Sequence, residues 1–454
     1  MKKLTLALLP LLIVACQGNP PLQAPLSTDA VPDQLVVRFQ PNATAADRVA
    51  ARALVGASQP MALLPDAERW TLPEGTDLAG AIARLRTDDR IKVAEPNRRH
   101  QLDVRPGARF TPPRFLLDVA SVQNVVVPND PDYHLQWDLP VDKFDQVWST
   151  NTGQGVIVGV IDSGVDPNHP DLKANLLPLI DEVVAMGNHD VLDTVNYDGR
   201  DGHGHGTHVC GIVGAVANNG IGISGAAPGI KILPVKVTTA SGDADDATIT
   251  KGIKDAVDKG AQVINLSIGG PQPSNVLLDA LNYAFDKNVA VVIAAGNDSS
   301  DVNYPAQYDG VISVGATTAS GTVPAYSSHG NQLVLVAPGG GVPDENNGPG
   351  IFSCIPTYPC WISKYEGKGA PDASGQPSQI YDYLAGTSMS APQVTAAVAL
   401  LLSQNPGLSP AQVRTRMAAT AVPLGSAPFD PFSGFGALNV QKLLSATRDD
   451  GGAS

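Results

Sequence analysis

Three short segments carry side chains of the kinds used in nucleophilic catalysis. Gly386-Thr-Ser-Met-Ser-Ala-Pro392 sets Ser388 in a small-residue turn ahead of an apolar run, Val394 to Leu402, that predicts a buried helix. Taken alone, Ser388 reads first as an N-cap whose oxygen satisfies an orphan N–H group. A helix N-terminus also offers backbone donors and a field favouring a developing oxyanion, which makes the same serine a candidate nucleophile. The second segment, Gly155-Val-Ile-Val-Gly-Val-Ile-Asp162-Ser-Gly-Val-Asp166, lacks polar alternation and predicts a strand buried on both faces of a parallel sheet. It ends on Asp162, where ligands and catalytic groups gather in such sheets, although a turn aspartate before Gly164 would look the same. The third, Asp201-Gly-His-Gly-His205-Gly-Thr-His208-Val-Cys-Gly211, holds three histidines. A metal site competes here, but the His/Glu spacing of metal-binding helices is absent and the glycines suit a helix entry.

Together the segments supply an acid, a base and a nucleophile in the order Asp, His, Ser. Chymotrypsin-like enzymes run His, Asp, Ser, and α/β-hydrolases run Ser, Asp, His. The chain resembles the subtilisin-like serine proteases (subtilases), and thermitase-like bacterial members in particular. Val-Ile-Asp-Ser-Gly, His-Gly-Thr-His and Gly-Thr-Ser-Met-Ser-Ala-Pro stand as in that family. The resemblance implies a serine endopeptidase with a three-layer αβα sandwich on a mainly parallel sheet. It gives His205, rather than His203 or His208, the role of general base; an imidazole with a pKa of about 6.5 accepts and returns a proton near neutrality. Asp162 would hold the imidazole tautomer without taking the proton, and Ser388 would attack.

Val289-Ala-Val-Val-Ile-Ala-Ala-Gly-Asn297 reads as another buried strand closing on a Gly-Asn turn. In the family pattern Asn297 supplies the side-chain donor of the oxyanion hole. Val263-Ile-Asn-Leu-Ser267-Ile268-Gly269-Gly270 reads as one more strand end. The resemblance implies that this edge pairs with extended substrate, and that Ser267, Ile268 and Gly269 with Ala294, Ala295 and Gly296 wall the first specificity pocket.

The 454 residues exceed one ordinary domain. Met1-Lys-Lys-Leu and the apolar run to Ala15 predict a secretory signal over 1–16, and Ile13-Val-Ala-Cys16 resembles a lipobox that would lipidate Cys16. The expected setting is the exterior of a bacterial cell, either free or as an envelope lipoprotein. Residues 1–127 hold 15 Lys and Arg against 12 Asp and Glu, whereas 128–454 hold 15 against 32. That acidic excess argues against nucleic acid as a partner and suits a cation-binding exported enzyme. Protein or peptide substrates, the chain's own propeptide as intramolecular inhibitor, and a monomeric state complete the expectation. Cys354 and Cys360 flank a short loop and predict a disulfide in an exported chain; Cys210 reads as inert core packing.

Residues 17–32 read as a flexible tether, and 33–103 as a small ferredoxin-like α+β propeptide: strands at Gln34 to Phe39, Arg69 to Leu72 and Ile91 to Glu95, helices at Ala45 to Val55 and Asp77 to Leu85. A processing linker over 104–127 follows, then the peptidase domain over 128–445 and a disordered tail over 446–454. Two features depart from the family pattern: the Gly/Pro/Ser-rich stretch 339–379, and His203. The resemblance also implies structural Ca²⁺, held by Asp130, Asp171, the Asn219 side chain and the carbonyls of Ala217, Ile221 and Ile223. A non-catalytic peptide-binding relative and a peptide ligase on the same scaffold are the alternative functions. The first sits poorly with a full set of catalytic residues; the second is separated by its products.

Overall fold

In a computed structural model, the described residues are 29–109, 125–187, 200–343 and 347–446. Cys16, the signal and most of the tether lie outside them.

The N-terminal part runs β1 (Ala30–Phe39), α1 (Ala45–Val55), β2 (Ser58–Leu64), β3 (Ala67–Thr71), α2 (Leu78–Arg86) and β4 (Ile91–Gln101). Its strands pair in the order β2-β3-β1-β4, all antiparallel. Helix α1 is entered through a full capping box between Thr44 and Asp47 and left through left-handed Gly56. Leu35, Val37, Phe39, Trp70, Ile82 and Leu85 fill the core beneath the two helices. Strand β2 has no counterpart in the sequence-based expectation: Pro60 interrupts the run, and proline is tolerated because β2 is an edge strand. β1 starts inside the expected tether, and β4 runs six residues past the expected Glu95.

Past the short strand β5 (Arg105–Pro106), the larger part comprises α3 (Asp138–Val141), β6 (Ile157–Asp162), β7 (Ile180–Asp181), α4 (Glu182–Ala185), α5 (His205–Gly214), β8 (Lys231–Lys236), β9 (Asp243–Asp245), α6 (Asp246–Asp258), β10 (Val263–Leu266), α7 (Asn275–Asp286), β11 (Ala290–Ala294), β12 (Ile312–Thr317) and β13 (Leu335–Pro338). It ends with β14 (Ile351–Cys354), α8 (Trp361–Tyr365), β15 (Tyr381–Ala385), α9 (Thr387–Gln404), α10 (Pro410–Thr420) and α11 (Val440–Ser445). Seven strands form one parallel sheet, β13-β12-β11-β10-β6-β8-β7. α5 and α9 cover one face through residues such as Val209, Val213, Val394 and Leu400. α6 and α7 cover the other through Ile249, Ile253, Leu277 and Leu281. Continuous apolar strands such as Val263–Leu266 are what a sheet buried on both faces requires.

The two parts are knit together. β4 extends the small sheet onto β9 of the larger part, with Arg99 opposite Asp245 and Gln101 opposite Asp243. Val36, Leu63, Leu64 and Ala67 pack on Ala247 and Val276 at the starts of α6 and α7. Glu95 caps α7, its carboxylate accepting from the Val276 and Asn275 amides at 2.9 and 3.3 Å.

The expected Cys354–Cys360 disulfide is not formed; both are free thiols. Cys354 Sγ packs at Gly211 and Cys360 Sγ at Gly204. Those glycines lie seven residues apart along α5 and its N-cap, a rise of about 10 Å, too far for one bridge. The chain between the cysteines spans the length of α5 rather than closing a loop. The stretch 339–379, which holds them, supplies β14 and α8 and sets Trp361 flat against His203, ring centroids 5.0 Å apart at 9°.

Candidate active site

Asp162 is the last residue of β6, and His205 the first of α5. The adjacency of β6 and α5 brings them together: His205 Nδ1 lies 2.8 Å from Asp162 Oδ1, both side chains buried. Burial works against a charged imidazole, but the Asp162 carboxylate outweighs it and raises the His205 pKa above its ordinary value. Among the described residues His203 and His208 lack a carboxylate partner, and burial lowers the pKa of both, that of His208 to about 3. His205 Nε2 is buried without a hydrogen-bond partner among the described residues. A neutral imidazole anchored at Nδ1 with Nε2 free is what a general base needs.

The entry to α5 is held by Asp201. Its Oδ1 accepts from Gly204 N–H and Ser163 Oγ, and its Oδ2 from the Thr207 N–H and hydroxyl, all at 2.7 Å. Ser163 Oγ in turn accepts from Gly206 N–H. A side chain at Gly206 would begin 2.2 Å from the Gly164 carbonyl, so this helix start and the strand end beside it approach too closely for anything but glycine.

Ser388 is the second residue of α9, and the N-cap position is Gly386 (φ 142°), so the capping reading of Ser388 does not hold. Its hydroxyl points to the Ser267 carbonyl at 3.5 Å. Pro392, four residues on, has no N–H for the Ser388 carbonyl, and Ser267 Oγ approaches that carbonyl at 3.4 Å instead. Asn297 follows β11. Its Oδ1 accepts from the Thr387 N–H and hydroxyl at 2.9 and 3.0 Å, which turns Nδ2 toward the Gly386–Ser388 turn. A Cβ on Gly386 would sit 3.2 Å from that nitrogen.

Ser388, Asn297, Ser267, Ile268, Gly269, Ala294 and Gly296 face one cleft of about 360 Å³. Ala295 does not: its side chain is buried in the core on the α7 side, as alternation along an extended segment requires. The cleft also receives the N-terminal part, because Gln101 bridges Gly269 in antiparallel fashion. Cys210, two residues after His208 on α5, is fully buried, and burial pushes its thiol well above the usual range.

The residues expected to hold a cation meet elsewhere. Asp130 accepts from the amides of Asn218, Asn219 and Gly220, folding the 217–223 loop around its carboxylate. Asn219 Nδ2 and Ile223 N–H reach Asp171 at 2.6 and 2.9 Å. Burial pushes Asp171 up to about 6. Gly222 (φ 52°) leaves no room for a side chain, with Asp171 Oδ2 at 2.5 Å and Tyr381 Oη at 2.0 Å from the site of its Cβ. Two buried carboxylates and a carboxamide meet at this loop, groups whose oxygens suit Ca²⁺, although here Asn219 turns its nitrogen to Asp171 and its oxygen to the Ile221 amide. No group of three or more His, Cys, Asp or Glu side chains is set to hold a metal among the described residues, so the carbonyls would have to complete it.

Sequence reasoning passed over Asp201, Ser163 and Thr387. Asp201 and Ser163 stood in the quoted motifs, but their roles need the β6–α5 contact to become visible. Thr387 precedes the serine, and nothing local marks it as the anchor of Asn297.

A parallel doubly covered sheet with Asp, His and Ser at one end defines an α/β serine endopeptidase of the subtilisin type. The chain belongs to the subtilase family, whose profile matches residues 153–437, and a fervidolysin N-terminal prodomain profile matches residues 19–97. It is 36% identical to subtilisin DY of Bacillus licheniformis over 309 residues, 67% of this chain and 96% of that protein. It is 34% identical to thermitase of Thermoactinomyces vulgaris, covering 65% of this chain and 91% of that one. The crystal structure of fervidolysin from Fervidobacterium pennivorans, a keratinolytic enzyme related to subtilisin, superposes with a TM-score of 0.76 at 25% identity, covering 93% of this chain and 62% of that one.

Proposed function

We propose that the protein is an exported endopeptidase that cuts proteins through an Asp162–His205–Ser388 triad and an acyl-enzyme, and that it is made as a zymogen that processes itself. The observation that carries this reading is His205, tied to Asp162 at 2.8 Å with its Nε2 unpartnered among the described residues and within reach of the charge of Asp103, which lines one cleft with Ser388 and Asn297. Ser388 Oγ attacks the substrate carbonyl as His205 Nε2 takes its proton, and the same proton passes to the departing amine. The Asn297 Nδ2 and the Ser388 backbone N–H donate to the oxyanion. Ser267 to Gly269 pair with the extended substrate backbone, and the small Ala294 and Gly296 leave space for the side chain before the scissile bond.

Asp130, Asp171, Asn219 and the carbonyls of Ala217, Ile221 and Ile223 would hold Ca²⁺, which supplies charge to two buried carboxylates and takes no part in the chemistry. Export follows the lysine-flanked apolar segment at the N-terminus, and Cys16 is the residue that a lipid would modify. Ser388→Ala tests the reading: casein hydrolysis is lost and the full-length chain persists. Unchanged processing in that variant would overturn it.

A further inference from the structure

The segment joining β4 to β5 crosses the cleft in a register that singles out one peptide bond. On its first side, residues 99–101 pair antiparallel with 243–245, and Leu102 N–H donates to Gly242 O at 2.9 Å. On the opposite edge Gln101 bridges Gly269. Beyond the cleft, Arg105 pairs with Ala385 and Pro106 with Leu384, and Gly107 N–H donates to Tyr383 O at 3.2 Å. Asp103 and Val104 are therefore the residues between two ladders. Continuing the Gln101–Gly269 register by two residues sets Asp103 opposite Ser267, whose carbonyl faces the Ser388 hydroxyl. Continuing the β5–β15 register by one sets Val104 opposite Gly386, two residues before Ser388.

Side chains on both sides hold the crossing in place. Leu102 is buried, and a Cβ on Gly242 would lie 3.3 Å from Leu102 Cβ and 3.2 Å from the His203 ring. The Arg105 guanidinium donates to Asn297 O at 2.7 Å and lies over the Tyr326 ring at 5.5 Å. Asp103 lines the same cleft as Ser388 and Asn297, half-exposed, with Arg105 Nε at 3.4 Å as its ion-pair partner.

From this register we infer that the bond cut in self-processing is Asp103–Val104. The inference rests on the self-processing reading above and adds the site. Ser388 Oγ bonds to the Asp103 carbonyl carbon and the Asp103–Val104 C–N bond breaks. The hydroxyl proton passes through His205 Nε2 to the Val104 nitrogen. Water then attacks the ester, giving its proton to His205, which returns it to Ser388 Oγ; the products are an Asp103 carboxylate and a Val104 amine. The bond is presented by main-chain pairing on both sides and by its covalent tether, which supplies the effective concentration. No cation of the larger part need recognise the Asp103 side chain, so an acidic residue here does not define what the mature enzyme prefers.

The test follows the full-length protein through activation, quenched in acid at intervals, by intact mass and N-terminal sequencing. The first pair of fragments should end at Asp103 and begin at Val104, and processing in ¹⁸O water should label the Asp103 carboxylate. Val104→Pro should slow the first cut at least about 100-fold while leaving the unfolding midpoint close to that of Ser388→Ala, which serves as the uncut reference. A first new N-terminus at any other residue, or a Val104→Pro chain that processes at the wild-type rate, overturns the assignment. Should Val104→Pro unfold, fragment mapping on the wild-type chain decides alone. Cleavage of the Ser388→Ala chain would instead overturn the self-processing reading, so the two failures are distinguishable.

Discussion

Asn297→Ala separates the proposed oxyanion donation from the anchoring of Thr387 by the same side chain. Its Oδ1 takes two bonds from Thr387, at 2.9 and 3.0 Å, and its Nδ2 faces the turn that carries Ser388. Truncation removes a donor to the oxyanion, about 2.7–4 kcal/mol, so the acylation rate should fall roughly 10²–10³-fold. It also strips the acceptor from a buried N–H and hydroxyl, at about 1–3 kcal/mol of stability. Thr387→Val loosens the amide but keeps the donor, so it should lose about fivefold in rate, the equivalent of about 1 kcal/mol. The intramolecular processing half-time of freshly refolded full-length chain reads the rate without needing a mature enzyme, and urea unfolding of the same variants reads the stability. Wild-type processing by Asn297→Ala would refute the oxyanion role. A rate loss in Thr387→Val as large as that in Asn297→Ala would show that orientation, not the donor, carries the effect.

Activity should fall about tenfold per pH unit below the raised His205 pKa, because only the neutral imidazole takes the serine proton. The stability contribution of the Asp162–His205 pair has the opposite sign: it is complete below the unfolded pKa of about 6.5 and is lost as pH rises through the folded value. A pH–rate profile beside pH-dependent melting checks both, and parallel curves would contradict the assignment. EDTA should lower the melting temperature more at pH 8 than at pH 5, since Asp171, near 6 without a cation, must ionise to bind one; an equal shift at both values would place the cation elsewhere. Gly206→Ala should displace the start of α5 against the Gly164 carbonyl and cut turnover by at least about 100-fold, with loss of protein-substrate hydrolysis as the readout; near-normal activity would mean the two backbones can part without cost.

The legible part of this chain was local. Strand β6 showed as an uninterrupted apolar run, α1 as the segment Ala45 to Val55, and the buried helix α9 as its Ala/Val/Leu sequence. Each is written in neighbouring residues, because burial on both faces, capping and left-handed exits are one-dimensional demands on composition. The chain order of Asp162, His205 and Ser388 is likewise a property of the string, and it distinguished one family from others that use the same three residue types. Edge strand β2 was hidden because pairing on one side only tolerates Pro60 and a weak pattern.

Other features depended on distance in space. A six-residue spacing between Cys354 and Cys360 suggested a closed loop, yet the chain runs along α5 and leaves the sulfurs beside Gly211 and Gly204, about two turns apart. Ala295 was grouped with its neighbours as a pocket wall, but alternation turned it into the core. Asp201 became the clamp of the His205 helix only where that helix meets β6. Residues 103 and 104 carry no sequence signal, and their place at Ser388 comes from two ladders contributed by β9, β15 and the edge at Gly269. Residue types and their local patterns specify which side chains could do chemistry and which elements end on them. Tertiary structure alone decided which side chains meet and which bond crosses the nucleophile, because strand register and helix contact join segments hundreds of residues apart.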